Sequence, residues 1–233
     1  MGAPESSPPP APIRIIGHGI SRTVARFPWT WPLFRGFTRR FFDRVAPIWD
    51  TRTASPERMA PLDAALELAR VTPRRILDLG TGTGEAAIWL AERFPNASIV
   101  GVDLAPKMIE AARERLPEEL TGRVRYEVAD AGARLPFADA GFDLVAQVSV
   151  SAFFAETARV IEPGGTLVVV SRLGPATPAH TPSRLLRRGF EREGLEWVDA
   201  GAAGLGTYYV LRKPDRVAAE LRQPRAGDRV GDE

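Results

Sequence analysis

The sequence predicts an α/β fold: a doubly wound, mostly parallel sheet of seven strands whose last strand is antiparallel, preceded by a helical cap. Three observations carry this. Short apolar, β-branched runs alternate with amphipathic helical patterns from residue 75 to residue 212, which implies a sheet with helices on both faces. The first run, Arg75-Ile-Leu-Asp-Leu79, breaks into Gly80, Gly82 and Gly84, and a helical pattern opens at once. The last two runs are joined by a short Gly-rich segment, Gly201 to Gly206, so they pair antiparallel.

The elements follow in order. Residues 1–12 are Pro- and Ser-rich and read as a disordered tail. Residues 13–54 form an arm or cap. Its first part, 13–32, is interrupted by Pro28 and Pro32 and is expected to wander over the surface. From Leu33 to Val45, Phe34, Phe37, Phe41 and Val45 fall at helical spacing, and Pro47 should end that helix. The main domain spans 55–212. A helix fits Met59 to Arg70, with Leu62, Ala65, Leu66 and Ala69 inward. Strands fit 75–79, 98–103, 123–128, 142–148, 165–171, 195–200 and 207–212. Helices fit 84–94, 106–116, 151–161 and 182–193. Residues 213–233 are polar, contain Pro214 and Pro224, and read as a loose tail.

Composition bounds the function. The chain of 233 residues has 44% hydrophobic and 26% charged residues, ordinary for a globular protein. With no Cys, thiolate metal sites and Cys nucleophiles are excluded. No run resembles a signal peptide or spans a bilayer, so a cytoplasmic location is expected. Net charge is only +2 but unevenly placed: residues 14–52 hold eight Arg against Asp43 and Asp50. The arm also carries Phe27, Trp29, Trp31, Phe34, Phe37, Phe41, Phe42 and Trp49. Arginine with Trp and Phe suits a lid over an apolar ligand, a packed structural helix, or a peripheral contact with an anionic membrane. Nucleic-acid binding has no supporting fold motif.

A strand feeding a glycine turn that opens a helix is a ligand site, because the backbone can approach closely and a helix N-terminus presents free N–H groups. Asp78 puts a carboxylate at the carboxyl end of that strand, where open α/β sheets bind ligands. The spacing is Gly-x-Gly-x-Gly, unlike the dinucleotide turn, and Glu85 at the helix start would repel a phosphate. The next strand, Ser98-Ile-Val-Gly-Val-Asp103, ends in a carboxylate that can accept ribose hydroxyls. Asp103 also reads as a helix N-cap, and Asp130 as an Asx-turn residue.

Asp78-Leu-Gly-Thr-Gly-Thr-Gly followed by Val102-Asp103-Leu-Ala-Pro-Lys-Met108 resembles the first motifs of class I S-adenosylmethionine-dependent methyltransferases. Tyr126-Glu-Val-Ala-Asp130-Ala131 and Arg159-Val-Ile-Glu-Pro-Gly-Gly-Thr-Leu-Val-Val-Val170 resemble two later segments of that family, in the same order. The small-molecule branch of ubiquinone/menaquinone-type enzymes is similar at Phe42-Asp-Arg-Val-Ala-Pro-Ile-Trp-Asp50, with Trp49 where Tyr is usual.

The resemblance implies a Rossmann-like fold and S-adenosylmethionine as cofactor. It puts Gly80, Thr81, Gly82 and Gly84 at the methionyl part and Asp78 near its amino group. It puts Asp103 on the ribose, Leu104 and Met108 on the adenine ring, and Asp130 with the Ala131 N–H on the adenine edge. Gln147 and Ser149, ending the fourth strand, would face the methyl group or the acceptor, with Trp49 and Arg52 beside them.

The implied reaction moves a methyl group to a small apolar or aromatic acceptor at O, C or N by in-line displacement, with no metal. Asp143 is expected to be structural. No catalytic base announces itself; His180, after the fifth strand, is the weak candidate. Two rivals come from other classes. One is a non-catalytic S-adenosylmethionine-binding partner or sensor. The other is a nicotinamide-dependent oxidoreductase, disfavoured by Glu85, the glycine spacing and the lack of a Tyr-x-x-x-Lys constellation.

Overall fold

A computed structural model describes residues 10–53 and 56–215, with the side chains of 50–53 and 56 left undescribed. The Pro- and Ser-rich segment 1–9 and the tail beyond 215 therefore lie outside the described residues. Two helices come first, α1 (Ala11–Arg26) and α2 (Trp31–Thr53), then α3 (Ala60–Ala69). The alternating core follows as β1 (Arg75–Leu79), α4 (Glu85–Arg93), β2 (Ser98–Asp103), α5 (Pro106–Arg115), β3 (Val124–Val128), β4 (Phe142–Val148), α6 (Phe154–Val160), β5 (Ile161–Ser171), α7 (Ser183–Arg192), β6 (Glu196–Ala203) and β7 (Gly206–Arg212).

The seven strands form one sheet in the order β3-β2-β1-β4-β5-β7-β6. The pairs from β3 through β5 are parallel. Strand β7 runs antiparallel to both neighbours, as expected. Parallel strands covered on both faces need side chains that are apolar both ways. Strand β1 meets this: Ile76 packs under α3 and α4, while Leu77 and Leu79 face the opposite cluster with Phe154, Leu186 and Phe190. All three are fully buried, and each such side chain stabilises the fold by about 1.5–3 kcal/mol. Asp143, at the start of β4, accepts the Arg74 and Arg75 amides. It ties the entry to β1.

The arm departs from expectation. Residues 11–26 are helical rather than wandering. Pro12 lies in the first turn, where the missing N–H costs nothing, and Pro28 opens a short 3-10 turn leading into α2. Helix α2 also runs through Pro47 instead of ending there. It gives up one backbone bond and recovers contact, since Ala46 with Phe42, Val45 and Trp49 packs on Ala105 and Met108. Asp43 accepts the Lys107 amide at 3.1 Å, so α2 caps the first turn of α5. Helix α1 rests on the loops after β5 and β4: His18 Nε2 lies 3.0 Å from the Thr177 carbonyl and Ser21 bonds Ser151. Gly17 sits so close to Pro178 that a Cβ would collide with its carbonyl.

Candidate active site

Strand order reverses between β1 and β4, and the pocket opens there, at the strands' carboxyl ends. This is where open α/β sheets bind ligands. Gly80, Thr81, Gly82, Val102, Asp103, Leu104, Met108, Ala129, Asp130 and Ala131 line one part. Val148, Ser149, Val150, Ser151, Phe153, Arg172 and Ala179 line another, and Trp31, Thr38, Phe42 and Trp49 close it from α2.

The glycine turn holds itself together with its own polar groups. Gly80 and Thr81 amides both donate to the Val102 carbonyl, at 2.8 and 2.9 Å. Gly82 has φ +56, and a Cβ there would meet nothing nearer than Trp49 Nε1 at 3.8 Å. It therefore leaves open space over the turn, in a conformation that side-chain-bearing residues avoid. Gly84 is not among the residues lining this pocket. It is glycine because it starts α4 at φ +85 and because a Cβ would strike the Tyr126 hydroxyl.

Asp78 is fully buried. Its Oδ2 accepts the Thr81 hydroxyl at 2.6 Å, and its Oδ1 has no hydrogen-bond partner. Burial pushes its carboxyl up to about 6. It is not among the residues lining the pocket, whereas its partner Thr81 is.

Asp103 is half-buried at the wall. Its Oδ1 accepts the Ala105 amide at 2.9 Å and its Oδ2 the Gly82 amide at 3.0 Å. It closes an Asx-type turn rather than capping α5, whose N-cap is Ala105. An ionised carboxylate has about four acceptor positions, so two remain for a diol. Burial raises its pKa to about 6. Asp130 Oδ1 accepts the Gly132 amide and the Trp31 indole, at 2.8 and 2.7 Å. Its Oδ2 is buried without a hydrogen bond, with Arg35 at 3.8 Å. The Asx-turn therefore exists and still leaves acceptor capacity on a residue that lines the pocket.

Three sequence expectations change. Gln147 does not face the pocket: it is fully buried, and its Nε2 donates to Thr157 of α6 at 2.7 Å. Strand alternation explains this, since Val145 and Gln147 share the face toward α6 while Val148 ends the strand at the pocket. His180 does not line the pocket either. Its ring sits half-buried against His18, with centroids 6.1 Å apart, and Ser171 Oγ is 3.4 Å from Nδ1. Burial, then His18 and Arg22, lowers its pKa. Glu85 is not a free charge at the helix start, because Arg172 pairs with it. The case against a phosphate then rests on the glycine spacing and on Asp103.

Ser149 does line the pocket. Its φ is +57, and its hydroxyl accepts the Arg172 amide at 3.1 Å. Trp49 lines it as expected, whereas the Arg52 side chain lies outside the described residues. Trp31 and Arg172 were missed. The spacing Trp31, Thr38, Phe42, Trp49 marks one helical face and could have revealed Trp31. Arg172 follows the fifth strand, a position known in advance to border ligands. No cluster of His, Cys, Asp and Glu suited to a metal ion occurs among the described residues.

The comparisons agree with this fold. A family model described as a methyltransferase domain matches residues 76–165. The demethylmenaquinone methyltransferase of Deinococcus radiodurans is 40% identical over 173 residues, covering 68% of this chain and 70% of that enzyme. The chain belongs to the class I S-adenosylmethionine-dependent methyltransferases. A second relative within the family, a malonyl-[acyl-carrier protein] O-methyltransferase of Geobacter sulfurreducens, is 41% identical over 54% of this chain, which spans 49% of that enzyme. A crystal structure of an S-adenosylmethionine-dependent methyltransferase from Aquifex aeolicus superimposes with a TM-score of 0.60 at 16% identity, over 73% of this chain and 98% of that one. That likeness speaks for the fold alone. The methyltransferase uses S-adenosylmethionine, and the residues fit it. The two acceptor positions left on Asp103, the unbonded Asp130 Oδ2 and the open space over Gly82 suit a diol, an amine and a chain passing the turn.

Proposed function

We propose that this methyltransferase acts on a small apolar or aromatic acceptor at O, C or N, with a reduced naphthoquinone the first candidate. One observation carries the reading. Trp31, Phe42 and Trp49 from α2, with Phe153, put four aromatic side chains on the pocket wall. Such walls take flat apolar ligands. The Deinococcus relative, named for a demethylated menaquinone, points the same way.

Bound S-adenosylmethionine supplies a sulfonium-activated methyl group. Asp103 takes the ribose hydroxyls; Asp130 and the Ala131 amide read the adenine edge; Leu104 and Met108 pack on its ring. The backbone at Gly80–Gly82 passes the methionyl chain, and Ser149 borders the reacting end. What the chain contributes to rate is alignment and a dry, low-dielectric enclosure under α2. The test is mass-spectrometric detection of a methyl adduct on 1,4-dihydroxynaphthalene. S-Adenosylhomocysteine binding without transfer to any acceptor in a broad panel would favour the non-catalytic reading instead.

The arm also suits a peripheral contact with an anionic lipid surface. Opposite its pocket face it exposes Trp29 (75%), Leu33 (74%) and Phe37, with Ile15 at 71% on α1. Arg22, Arg26, Arg35, Arg39, Arg40 and Arg44 are exposed around them. Apolar side chains ringed by arginine match a negatively charged interface. No helix among the described residues is long and apolar enough to cross a membrane.

A further inference from the structure

The acceptor half of the pocket contains one cation and no acid or base. Among its lining residues the only carboxylates are Asp103 and Asp130, and no histidine is present. Around Ser149, Val150, Ser151 and Ala179 the charged side chain is that of Arg172. This guanidinium is only 13% exposed, and its NH1 holds Glu85, itself 14% exposed. Its other donors have no partner among the described residues. Behind it stands Arg58, 5% exposed, with a buried Nε lacking any partner. Burial and the neighbouring Arg172 charge lower the pKa of Arg58, and Glu85 opposes them. Asp78 also feels Arg172 but lies wholly buried behind the glycine turn. Glu85 is in direct contact with Arg172 alone, and Arg58 feels both charges.

Resting on the aromatic-acceptor reading above, we propose that Arg172 is a specificity-determining anion site: the acceptor is held there as an oxyanion, a phenolate or enolate. The arrangement accounts for a pocket without a base. The proton leaves before or on binding, because an adjacent cation lowers the pKa of a bound acid. The acceptor's oxygen, or the ring carbon conjugated to it, then forms a bond to the methyl carbon. The S–CH3 bond breaks with its electron pair remaining on sulfur. Transfer to oxygen releases no proton; transfer to carbon releases the ring proton to solvent afterwards. Glu85 keeps the guanidinium in place, and Arg58 offsets part of the pull of that carboxylate.

The test uses 4-nitrophenol, whose ionised form absorbs apart from its neutral form, and the full chain saturated with S-adenosylhomocysteine. Below the phenol's own pKa, wild-type protein should bind it with the phenolate band. Arg172→Met should lose that band and about tenfold or more in phenolate affinity, with S-adenosylhomocysteine affinity kept. Arg172→Lys, which retains the charge should the Met variant not fold, should keep part of it. Neutral-phenol binding by the wild type would overturn the anion site and leave the aromatic pocket standing. No phenol binding in either form would sink both. If Arg172→Met weakens S-adenosylhomocysteine but not methylthioadenosine, the arginine serves the cofactor's carboxylate and the proposal is wrong.

Discussion

The indole N–H of Trp31 donates to Asp130 at 2.7 Å, joining the first turn of α2 to the loop after β3. Trp31 is 5% exposed and meets Phe153 edge-on at 4.9 Å. The enclosed space below is about 110 Å³, small beside the roughly 300–1,000 Å³ of ligand pockets. If α2 acts as a lid, it lifts to admit the cofactor and the Trp31–Asp130 bond resists the lifting. Trp31→Phe keeps the ring packing and removes the donor. A hydrogen bond to a charged group is worth about 1.5–3 kcal/mol, so trypsin should cut the arm's exposed arginines faster. An unchanged cleavage rate would mean that this bond does not hold the arm down.

The proposed ribose contact of Asp103 implies a pH limit on cofactor binding. Its carboxyl sits near pH 6 because of burial, and the ionised form is the better acceptor for two hydroxyls. S-Adenosylhomocysteine affinity should hold above that pH and decline below it. Asp103→Ala should cost about 1–3 kcal/mol of affinity by stranding those hydroxyls. Calorimetric titration across pH 5 to 8 reads both effects; affinity flat with pH and untouched by the substitution would remove the ribose assignment.

Gly82→Val combines two penalties, a branched side chain at φ +56 and a Cβ projecting into the open space over the turn. Binding of S-adenosylhomocysteine should be abolished while the circular dichroism of the sheet persists. Residual binding near the wild-type level would show that the methionyl chain takes another route.

Asp78 pulls stability the opposite way from a surface carboxylate. Its pKa in the fold, about 6, lies above that of an unfolded Asp, about 3.9. The folded state then binds the extra proton between those values. Its contribution to stability is present at low pH and lost as pH rises through about 6. Asp78→Asn, which can still accept the Thr81 hydroxyl, should compare more favourably with wild type at pH 8 than at pH 5 in urea denaturation. A difference independent of pH would contradict the buried titration.

Vesicles containing phosphatidylserine should sediment the protein, and purely zwitterionic vesicles should not. Leu33→Glu with Phe37→Glu should release it without touching the pocket face. Equal binding to both lipid types would rule out the arginine-ringed surface.

Much of this was legible in the chain because β1, β2 and β4 are apolar on both sides, which only a covered parallel strand tolerates. Asp103 and the glycine turn were legible because their spacing is tied to a local bend. The failures share a physical origin in tertiary context. Pro28 and Pro32 read as breaks yet sit at helix starts. Pro47 is carried through because the contacts of Ala46 and Trp49 outweigh one lost bond. The Glu85–Arg172 pair spans 87 positions, and no local pattern announces such a partner.

The arm's anchors have a consequence for how the enzyme is made. Trp31 waits for a partner 99 positions later, Ser21 for one 130 later, and His18 for one 159 later. During synthesis the aromatic arm emerges before the sheet it docks on, and contacts this distant pay their loop-closure entropy before any reward. The nascent chain thus carries its stickiest segment unpartnered until β5 and the following loop have left the ribosome. The pocket wall is completed only after β5, by a segment that left the ribosome long before it.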